Sequence, residues 1–543
     1  MKPFHHSIKE AWAQYEAGKN YKRRIGLYET VRKNERFYRG VQWQSGEGAD
    51  LPHPVFNIIR RIVDYLICSV ASTDLSIRYT DENLPFLKSK KEAVELARGL
   101  EILSANTAYR WEQNGMDNRL LRMLTDAAIT GDGVLYCYWD PSIKSPQLYE
   151  GDIATEVIDN VNLFVSDVNR SDIQSQDYII LAGRASVASL RAEASEAGCS
   201  EDDLLKIVGD SDCHEQSGEM ALYELEGDLE AKATYIIKFW REKGKVVFEK
   251  STKNCSIRRA RTDCRLYPVA YFNWIPTKNS FHGTSPITAL IPNQKYINHA
   301  FAMAMKHMTD TAFSKVIYDK SKIPEWSNEI GQAIAAVGGG NISDAVSVIG
   351  TGQMQNGYMD LIESAISVTK ELMGATESAL GNTEATNTSA ILALQESSRI
   401  PLEQIRRSYY RCVEEMANIW ADMMCAYYPA ERLLPCKDEN GVTTESMEFS
   451  MLKKGFLSAR VDVAEISRYT AVGAQNLLDK LLESGYLTPS AYIRRLPSGL
   501  LVDRQALLEE LERSGADDSY DQREEVLHGG QESDRDERDS RAD

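Results

Sequence analysis

The stretch "GNTEATNTSAILALQESSRIPLEQIRRSYY", which runs from Gly381 to Tyr410, changes character part of the way along. It opens with residues that are nearly all small or polar, and Glu384 is the only charged one before Ser389. A helical pattern then takes over, and Pro401 predicts a kink or break at Ile400, because proline lacks an N–H donor and clashes with the preceding turn. The stretch therefore predicts a loop without catalytic residue types, followed by an interrupted helix.

Beyond Pro401 the helical pattern carries apolar residues on one side only. The stripe, which keeps a 3-4 spacing, consists of Leu402, Ile405, Tyr409, Cys412, Met416, Ile419 and Met423. A straight helix over 402–428 would be about 40 Å long. A single apolar face on so long a helix favours packing between neighbouring parts of the chain or between subunits.

Before the loop, two helices flank a short insert. The first follows Gly283, with Thr284 or Ser285 as its cap, and Pro292 predicts a kink or restart. Its stripe of Ile297, Phe301, Met305, Met308 and Ala312 favours a packed core over a soft binding surface. The insert is predicted as a strand at 314–319, a short helix around 325–337 and a strand at 344–352. The second helix covers 358–380.

The remaining segments divide into helical and β-rich parts. Helices are predicted over 8–39, from Val55, and over 90–110 and 116–129. From Gly131 the period changes to two, which predicts strands, including a hairpin that turns at Lys243-Gly244. Helices are predicted again over 431–512. The charged segment 513–543 has too few apolar residues to offset the entropy of ordering and is predicted to be disordered.

Charge and length limit the classes of protein to consider. The 543 residues suggest about 3–4 domain-sized units. The 62 Lys and Arg against 80 Asp and Glu give a net charge of −18, which disfavours wrapping of nucleic acid, because affinity for phosphates comes mainly from cations. Residues 1–40 are an exception, with ten bases and four acids. A solvated helix face is favoured there over a docking patch.

Motifs for catalysis, metal binding and membrane insertion are missing from the sequence. The nine cysteines include no C-x-x-C pair, and Cys213-His214 near Cys199 supplies at most half a zinc site. No Walker loop, H-E-x-x-H or G-x-S-x-G occurs, and Ser367-Val-Thr-Lys370 lacks the companions of the acylating-serine motif. No apolar run reaches the ~18–20 residues of a membrane helix, and no secretory signal is predicted. These absences predict a structural protein without a cofactor, a metal site or enzymatic activity.

The order of several stretches resembles that of tailed-bacteriophage portal proteins. Those stretches are "NERFYRGVQW" with "VFNIIRRIVDYL", "GDGVLYCYWDP" with "NVNLFVSD", "YPVAYFNW" with "FHGTSPITALIPNQKYIN", "LGNTEATNTSAILALQESSRIPLEQ", and "SGYLTPSAYIRRLPSGLLVDRQALLEELE". Each stretch alone is a weakly specific motif, but their order, which spans nearly the whole chain, is much more specific.

The resemblance implies an α+β, predominantly α-helical portal fold with wing, stem, clip and crown regions that assembles into a ring, usually of twelve copies. The implied domains are a wing of helices and then strands over 1–283, a first stem helix over 284–312, a clip over 313–356, a second stem helix over 357–380, a tunnel loop over 381–388, a long kinked wing helix over 389–430, a helical crown region over 431–512, and the disordered acidic tail over 513–543.

The resemblance also implies a function and partners. The ring would stand at the capsid vertex of the virion, after assembly in the host bacterial cytoplasm, and double-stranded DNA would pass through it during packaging and ejection. The implied partners are the terminase large subunit, head-completion or adaptor proteins, and the major capsid and scaffolding proteins, with no membrane. Another virion component, such as an adaptor or capsid protein, and an atypical nuclease remain as alternatives.

Three groups of site residues follow from this resemblance. The tunnel loop would touch DNA weakly through Thr383, Glu384, Thr386, Asn387 and Thr388, because hydroxyls and an amide do not hold phosphates as fixed cations do. The stem lysines that would face the channel are Lys306, Lys315 and Lys370. The clip residues that would contact terminase are Lys320, Lys322 and Trp326.

Overall fold

The chain forms two compact units in a computed structural model. The structure describes residues 7–44, 46–48, 50–72, 74–87, 89–144, 147, 149–210, 231–311, 315–327, 334–338, 341, 344–349, 357–375, 400–429, 431–438, 441–447, 449, 452, 457–464, 468–496, 507 and 511. Unit 1 comprises residues 1–71, 116–144 and 151–427, and unit 2 comprises residues 72–115, 145–150 and 428–543.

Helices and strands both contribute to the fold, in agreement with the predicted α+β class. The helices are α1 (Ile8–Arg24), α2 (Leu27–Arg39), α3 (Ile58–Ala71), α4 (Lys90–Gln113), α5 (Met116–Thr130), α6 (Val187–Glu196), α7 (Glu201–Leu205), α8 (Pro286–Thr311), α9 (Gly357–Leu372), α10 (Glu403–Tyr427), α11 (Arg468–Glu483) and α12 (Pro489–Arg495). The strands are β1 (Asp74–Asp81), β2 (Asp132–Asp140), β3 (Asp152–Ile158), β4 (Leu163–Val165), β5 (Tyr178–Ser186), β6 (Lys232–Glu242), β7 (Lys245–Ser251), β8 (Ser256–Arg261), β9 (Val269–Asn273), β10 (Lys315–Tyr318), β11 (Val346–Ile349), β12 (Leu433–Asp438), β13 (Gly441–Ser446) and β14 (Leu457–Ala464).

Unit 1 is built around two antiparallel sheets. A five-stranded sheet has the order β4-β5-β6-β7-β8, and a three-stranded sheet has the order β3-β2-β9. One apolar cluster joins residues of both sheets, including Val134, Phe239 and Val269. A second cluster joins α1 to the five-stranded sheet, and Tyr15 meets Phe164 edge-to-face with the ring centroids 5.0 Å apart. The five-stranded sheet therefore carries an apolar cluster on each of its faces, the first shared with the three-stranded sheet and the second with α1.

The tip of the β6–β7 hairpin confirms the predicted turn. Lys243 and Gly244 both have positive φ angles, 52° and 78°, in a two-residue connection. Two successive left-handed residues are typical of the turns that match the twist of a hairpin. The single predicted helix over 8–39, in contrast, is divided into α1 and α2, because Gly26 adopts a left-handed conformation with a φ of 69°.

The basic N-terminal segment is not simply a solvated face. Lys22 on α1 is 2% exposed, and its Nζ donates hydrogen bonds to the carbonyl oxygens of Asn160, Val161 and Leu163 at 2.8, 3.0 and 2.6 Å. Burial lowers the pKa of Lys22 to about 7, against the opposing attraction of Asp159 and Asp132. This lysine fixes α1 to the start of the larger sheet.

Unit 2 contains strands where the sequence predicted helix. Strand β12 pairs with β13, and β14 pairs with β1, with Asp74 opposite Ala464 at one end and Asp81 opposite Leu457 at the other. Helix α4 packs on both pairs, and Asn106 Nδ2 donates a hydrogen bond to the Pro435 carbonyl oxygen at 2.7 Å. The helical prediction for 431–464 was therefore wrong, whereas α11 and α12 fall within its later part. The error arose because β14 is stabilised by a partner strand almost 400 residues away in sequence, which no local pattern reveals.

Candidate functional site

Two helices and a strand pair form the predicted helix–insert–helix element. Helices α8 and α9 contact each other, and between them in sequence β10 pairs with β11, with Lys315 opposite Ile349 and Tyr318 opposite Val346. The helix predicted around 325–337 is absent from its described residues, 325–327 and 334–337. The Val337 N–H donates instead to the Lys322 carbonyl oxygen at 2.7 Å, a contact between residues too far apart in sequence for a helical hydrogen bond.

The beginning of α8 is held by a buried carboxylate. Asp132 accepts hydrogen bonds from His282 Nδ1 at 2.8 Å, the Gly283 N–H at 2.7 Å, Asn273 Nδ2 at 2.9 Å and Asn160 Nδ2 at 3.2 Å. Burial alone would raise the pKa of Asp132, but the hydrogen bond and charge of His282, the Gly283 N–H and Asn160 bring this pKa below its ordinary value. Asp132, the first residue of β2, is thus held ionised in the interior beside His282 and Gly283, which precede α8.

Two glycines allow this close approach. A Cβ atom on Gly131 would lie 2.8 Å from the Gly283 carbonyl oxygen, and a Cβ on Gly283 would lie 2.9 Å from the Gly131 carbonyl oxygen. Gly131 also has a φ of 103°, which side chains rarely adopt. Ser285 then caps α8 as predicted, because its Oγ accepts the Ile287 N–H at 3.1 Å and donates to the Ala128 carbonyl oxygen at 2.6 Å.

The first half of α8 carries a buried network of amide side chains. Gln294 Oε1 accepts the N–H groups of Ile58 and Ile59, at 3.0 and 3.2 Å, at the start of α3. Gln294 Nε2 donates to Asn298 Oδ1 at 2.9 Å, and Asn298 Nδ2 donates to Gln42 Oε1 at 2.7 Å. No local pattern in the sequence predicts this network, since Gln294 and Ile58 lie 236 residues apart and Asn298 and Gln42 lie 256 residues apart. The predicted kink or restart at Pro292 did not divide the helix, which runs through it to Thr311.

The second half of α8 exposes its apolar side chains. Met303, Met305 and Met308 are 55%, 42% and 58% exposed. The preference for a packed core was therefore wrong for Met305 and Met308, although Ile297 is buried and the Phe301 ring contacts the Phe56 ring at a tilt of 36°, with the centroids 4.3 Å apart. Helix α9 is similar, with Tyr358, Leu361, Val368 and Leu372 exposed. A concentration of exposed apolar residues on two adjoining helices marks an interaction surface.

The three stem lysines lie on different elements. Lys306 Nζ on α8 donates a hydrogen bond to the Asp50 carbonyl oxygen at 3.1 Å and lies 4.0 Å from the Asp310 carboxylate. Lys370 is half-buried in the last turn of α9. Lys315 is the first residue of β10, and its side chain lies outside the described part of the structure. The tunnel-loop residues Thr383, Glu384, Thr386, Asn387 and Thr388, like the whole of 376–399, also lie outside the described residues.

The three residues predicted to contact terminase lie in the short segment that follows β10. Trp326 stacks on Tyr318 of β10, with ring centroids 5.3 Å apart and the planes at 22°. Lys320 and Lys322 flank a turn in which Asp319 Oδ1 accepts the Ser321 N–H at 3.0 Å and the Ser321 hydroxyl at 2.6 Å. These hydrogen bonds lower the pKa of Asp319. The turn presents two lysines beside an aromatic pair.

Helix α10 covers the open edge of the three-stranded sheet. It follows a 3-10 turn at Ile400–Leu402 that contains Pro401, and its predicted apolar stripe is largely buried. The residues before Ile400 lie outside the described part of the chain, so the predicted break in a helix from Ser389 stays a prediction. Glu415 Oε2 accepts the Tyr271 N–H of β9 at 3.4 Å, and Asp422 Oδ2 accepts the N–H groups of Arg265 and Leu266 at 2.6 and 2.9 Å. Burial raises the pKa of Glu415 to about 7.

Among the described residues, metal-binding side chains do not cluster. No three His, Cys, Asp or Glu side chains among them come together as a metal ion requires. Cys213 and His214 lie outside those residues. Where the structure describes helices, none combines the length and the apolar character needed to span a bilayer. What unit 1 does contain is a helix–strand–strand–helix element whose first helix is hydrogen-bonded to α3 at its base and whose two helices expose apolar side chains.

A comparison with protein families identifies a related class of protein. Residues 261–462 match the model of the phage P22-like portal protein family, a stretch that begins in β8, includes α8, β10, β11, α9 and α10, and ends in β14. The match confirms the resemblance to phage portal proteins, a structural family without enzymatic activity. No curated protein matches the chain.

Proposed function

We propose that copies of this chain form a ring, with twelve members, at the capsid vertex of a phage, and that double-stranded DNA passes through its channel during packaging and ejection. The observation that carries the proposal is the contrast along α8. Its first half is fixed by Gln294 and Asn298, whereas its second half exposes Met303, Met305 and Met308. A second copy would cover this surface, and a rigid base would give each copy the same angle to its neighbour.

In this proposal α8 and α9 form the stem, and the loop 381–388 lies between the stem and α10 at the channel. The loop contributes hydroxyl and amide groups and one carboxylate, so each contact with a phosphate is weak. The net charge of −18 adds a general repulsion. Because phosphate affinity grows with the number of cationic contacts, a channel of this composition lets DNA slide. Lys306, Lys315 and Lys370 are the proposed exceptions along the stem.

We further propose that the module with Lys320, Lys322 and Trp326 is the clip. The stacked Tyr318–Trp326 pair offers a flat aromatic contact of the kind enriched at protein interfaces, and the two lysines would lie at its polar rim. Its partners would be the terminase large subunit during packaging and head-completion proteins afterwards. The wing over 1–283 and the long helix over 389–430, together with the crown over 431–512, would face the capsid and scaffolding proteins. In this proposal the ring assembles in the cytoplasm of the host bacterium and remains at the capsid vertex of the virion.

The mass of the assembled full-length chain tests this function. Light scattering should give a ring of about twelve copies of the 61.0 kDa chain. A monomer or dimer across the accessible range of concentration would contradict the ring and favour an adaptor or capsid component. Cleavage of DNA on addition of magnesium by a monomer would instead favour the nuclease.

A further inference from the structure

Two cysteine thiols of unit 1 meet at one carbonyl group. Cys199 lies in the connection between α6 and α7, and Cys255 directly precedes β8. The Sγ atoms of Cys199 and Cys255 lie 3.4 and 3.5 Å from the Ser256 carbonyl oxygen, and Cys199 Sγ also lies 3.3 Å from the Ile257 carbonyl oxygen. Although the two cysteines are distant in the sequence, their sulfur atoms are therefore separated by no more than two short contacts.

Both cysteines belong to one apolar cluster, which packs α6 against the start of β8. Cys255 is 3% exposed, among Leu190, Ala194 and Ile257, whereas Cys199 is half-buried and packs against them. Burial raises the pKa of the Cys255 thiol, and the neighbouring Cys199 raises it further. An oxidant in solution therefore reaches Cys199 first, with Cys255 as the thiol behind it.

Access to solvent distinguishes this pair from other described cysteines. Cys137 and Cys412 also lie near each other, but they are 0% and 1% exposed, so an oxidant does not reach either thiol. The remaining buried cysteines of the described residues are Cys264, Cys425 and Cys436. Cys68 is exposed on α3 and serves below as a reference thiol. Cys199 combines access to solvent with a second thiol at its side.

We propose that Cys199 and Cys255 are an oxidation site, at which hydrogen peroxide converts the two thiols to a disulfide. The Cys199 thiolate attacks one peroxide oxygen, the O–O bond breaks, and the products are a sulfenic acid on Cys199 and water. The Cys255 thiolate then attacks the Cys199 sulfur, the S–S bond forms, and the S–O bond breaks to release hydroxide, which takes up the proton lost by Cys255. The thiols thus lose two electrons and two protons, and the peroxide becomes two molecules of water.

The disulfide would tie the α6–α7 connection to the start of β8 and close a loop over residues 199–255. Such a cross-link stabilises a fold mainly by restricting the unfolded chain, and more so when the loop is long. The thiols would stay reduced in a bacterial cytoplasm and become oxidised once a particle has left it. That timing rests on the proposed function, whereas the site itself lies within one copy of unit 1 and needs no ring.

The test is peptide mapping of the full-length chain after treatment with hydrogen peroxide at neutral pH. Remaining peroxide is removed with catalase, free thiols are blocked with N-ethylmaleimide in denaturant, and the digest is analysed by mass spectrometry before and after reduction. We expect a peptide pair linked through Cys199 and Cys255 in most chains, which disappears on reduction. The matched control Cys68→Ser removes an exposed thiol from α3 and should leave this link unchanged.

The variant Cys255→Ser should lose the linked peptide, and its Cys199 should gain the label of dimedone, which reacts with sulfenic acids. Circular dichroism reports whether this variant folds, and Cys255→Ala is the second variant, since alanine suits the apolar cluster. Three results would overturn the inference: recovery of Cys199 only as its maleimide adduct, a link from Cys199 to Cys213 or to another copy, or equal dimedone labelling of Cys199 with and without Cys255. Light scattering on the same samples reports ring formation separately, so failure of the ring and failure of this site are distinguishable.

Discussion

Asp132 and His282 are 150 residues apart in the chain and meet in the interior, with His282 Nδ1 2.8 Å from Asp132 Oδ2. Asp132 begins β2, and His282 lies four residues before α8. The pair therefore joins the three-stranded sheet to the beginning of the proposed stem. Because both side chains are buried, their contact fixes where α8 leaves the sheet.

Removal of Asp132 should destabilise unit 1 strongly. Asp132→Ala leaves His282, Asn160, Asn273 and the Gly283 N–H without their acceptor, and loss of one member of a buried pair costs about 3–5 kcal/mol of unfolding free energy. Urea unfolding followed by circular dichroism measures the change. Asp177→Ala, at an exposed position, should stay within about 0.5 kcal/mol of the unmodified chain. Equal effects of the two substitutions would contradict this role of Asp132.

Glu415 should make stability depend on pH. Burial raises its pKa to about 7 in the folded chain from an ordinary 4.5, so the stabilisation is complete below pH 4.5 and is lost as the pH rises to about 7. Glu415→Gln keeps an acceptor for the Tyr271 N–H and removes the charge. Because Glu415 keeps some exposure, we expect the variant to be more stable by about 1–2 kcal/mol at pH 8, and unchanged at pH 4.5.

Unfolding at the two pH values checks this prediction. The control is Glu196→Gln at the exposed end of α6. This substitution should change the free energy of unfolding only slightly, and by the same amount at the two pH values. A Glu415→Gln variant that loses stability at pH 8 would show that the carboxylate is stabilising in its ionised form.

The hydrogen bond between Asn298 and Gln42 should couple the two residues energetically. The pair is buried at 3% exposure each, so Gln42→Leu or Asn298→Leu alone leaves a polar group unsatisfied at about 1–3 kcal/mol. The double variant should cost less than the sum, with a coupling of about 0.5–3 kcal/mol. A double-mutant cycle on the exposed Arg170–Asp167 ion pair is the control, and its coupling energy should be about 1 kcal/mol or less. A coupling near zero for Gln42 and Asn298 would contradict the proposed rigid base of α8.

Much of the order of elements is predictable from sequence because it is encoded locally. The hairpin at Lys243-Gly244 and the cap at Ser285 each follow from the backbone preferences of one or two residues. The pairing of β14 with β1 and the bonds from α8 to Gln42 and Ile58 depend on residues far apart in the chain. Periodicity also cannot distinguish an apolar stripe that is buried within its own chain from one that stays exposed. The helical spacing of Met305 and Met308 therefore predicts a core position, although both side chains are exposed.

The exposed methionines should be necessary for assembly and unnecessary for folding. Met305→Glu with Met308→Glu places charges on the outer half of α8, where an apolar contact with a second copy would have to bury them at high cost. We expect folded subunits, by circular dichroism, that no longer form the large species in light scattering. Leu205→Glu with Val208→Glu is the matched control, since both residues are exposed and apolar but lie away from α8. Assembly of the α8 variant at the normal concentration would contradict the proposed surface.

The most direct test of the central claim is electron microscopy of the purified full-length chain, viewed end-on after classification of single particles. The account predicts closed rings of about twelve subunits around a central hole wide enough for duplex DNA. Solid, solitary particles without a hole, at concentrations where light scattering finds no larger species, would contradict it.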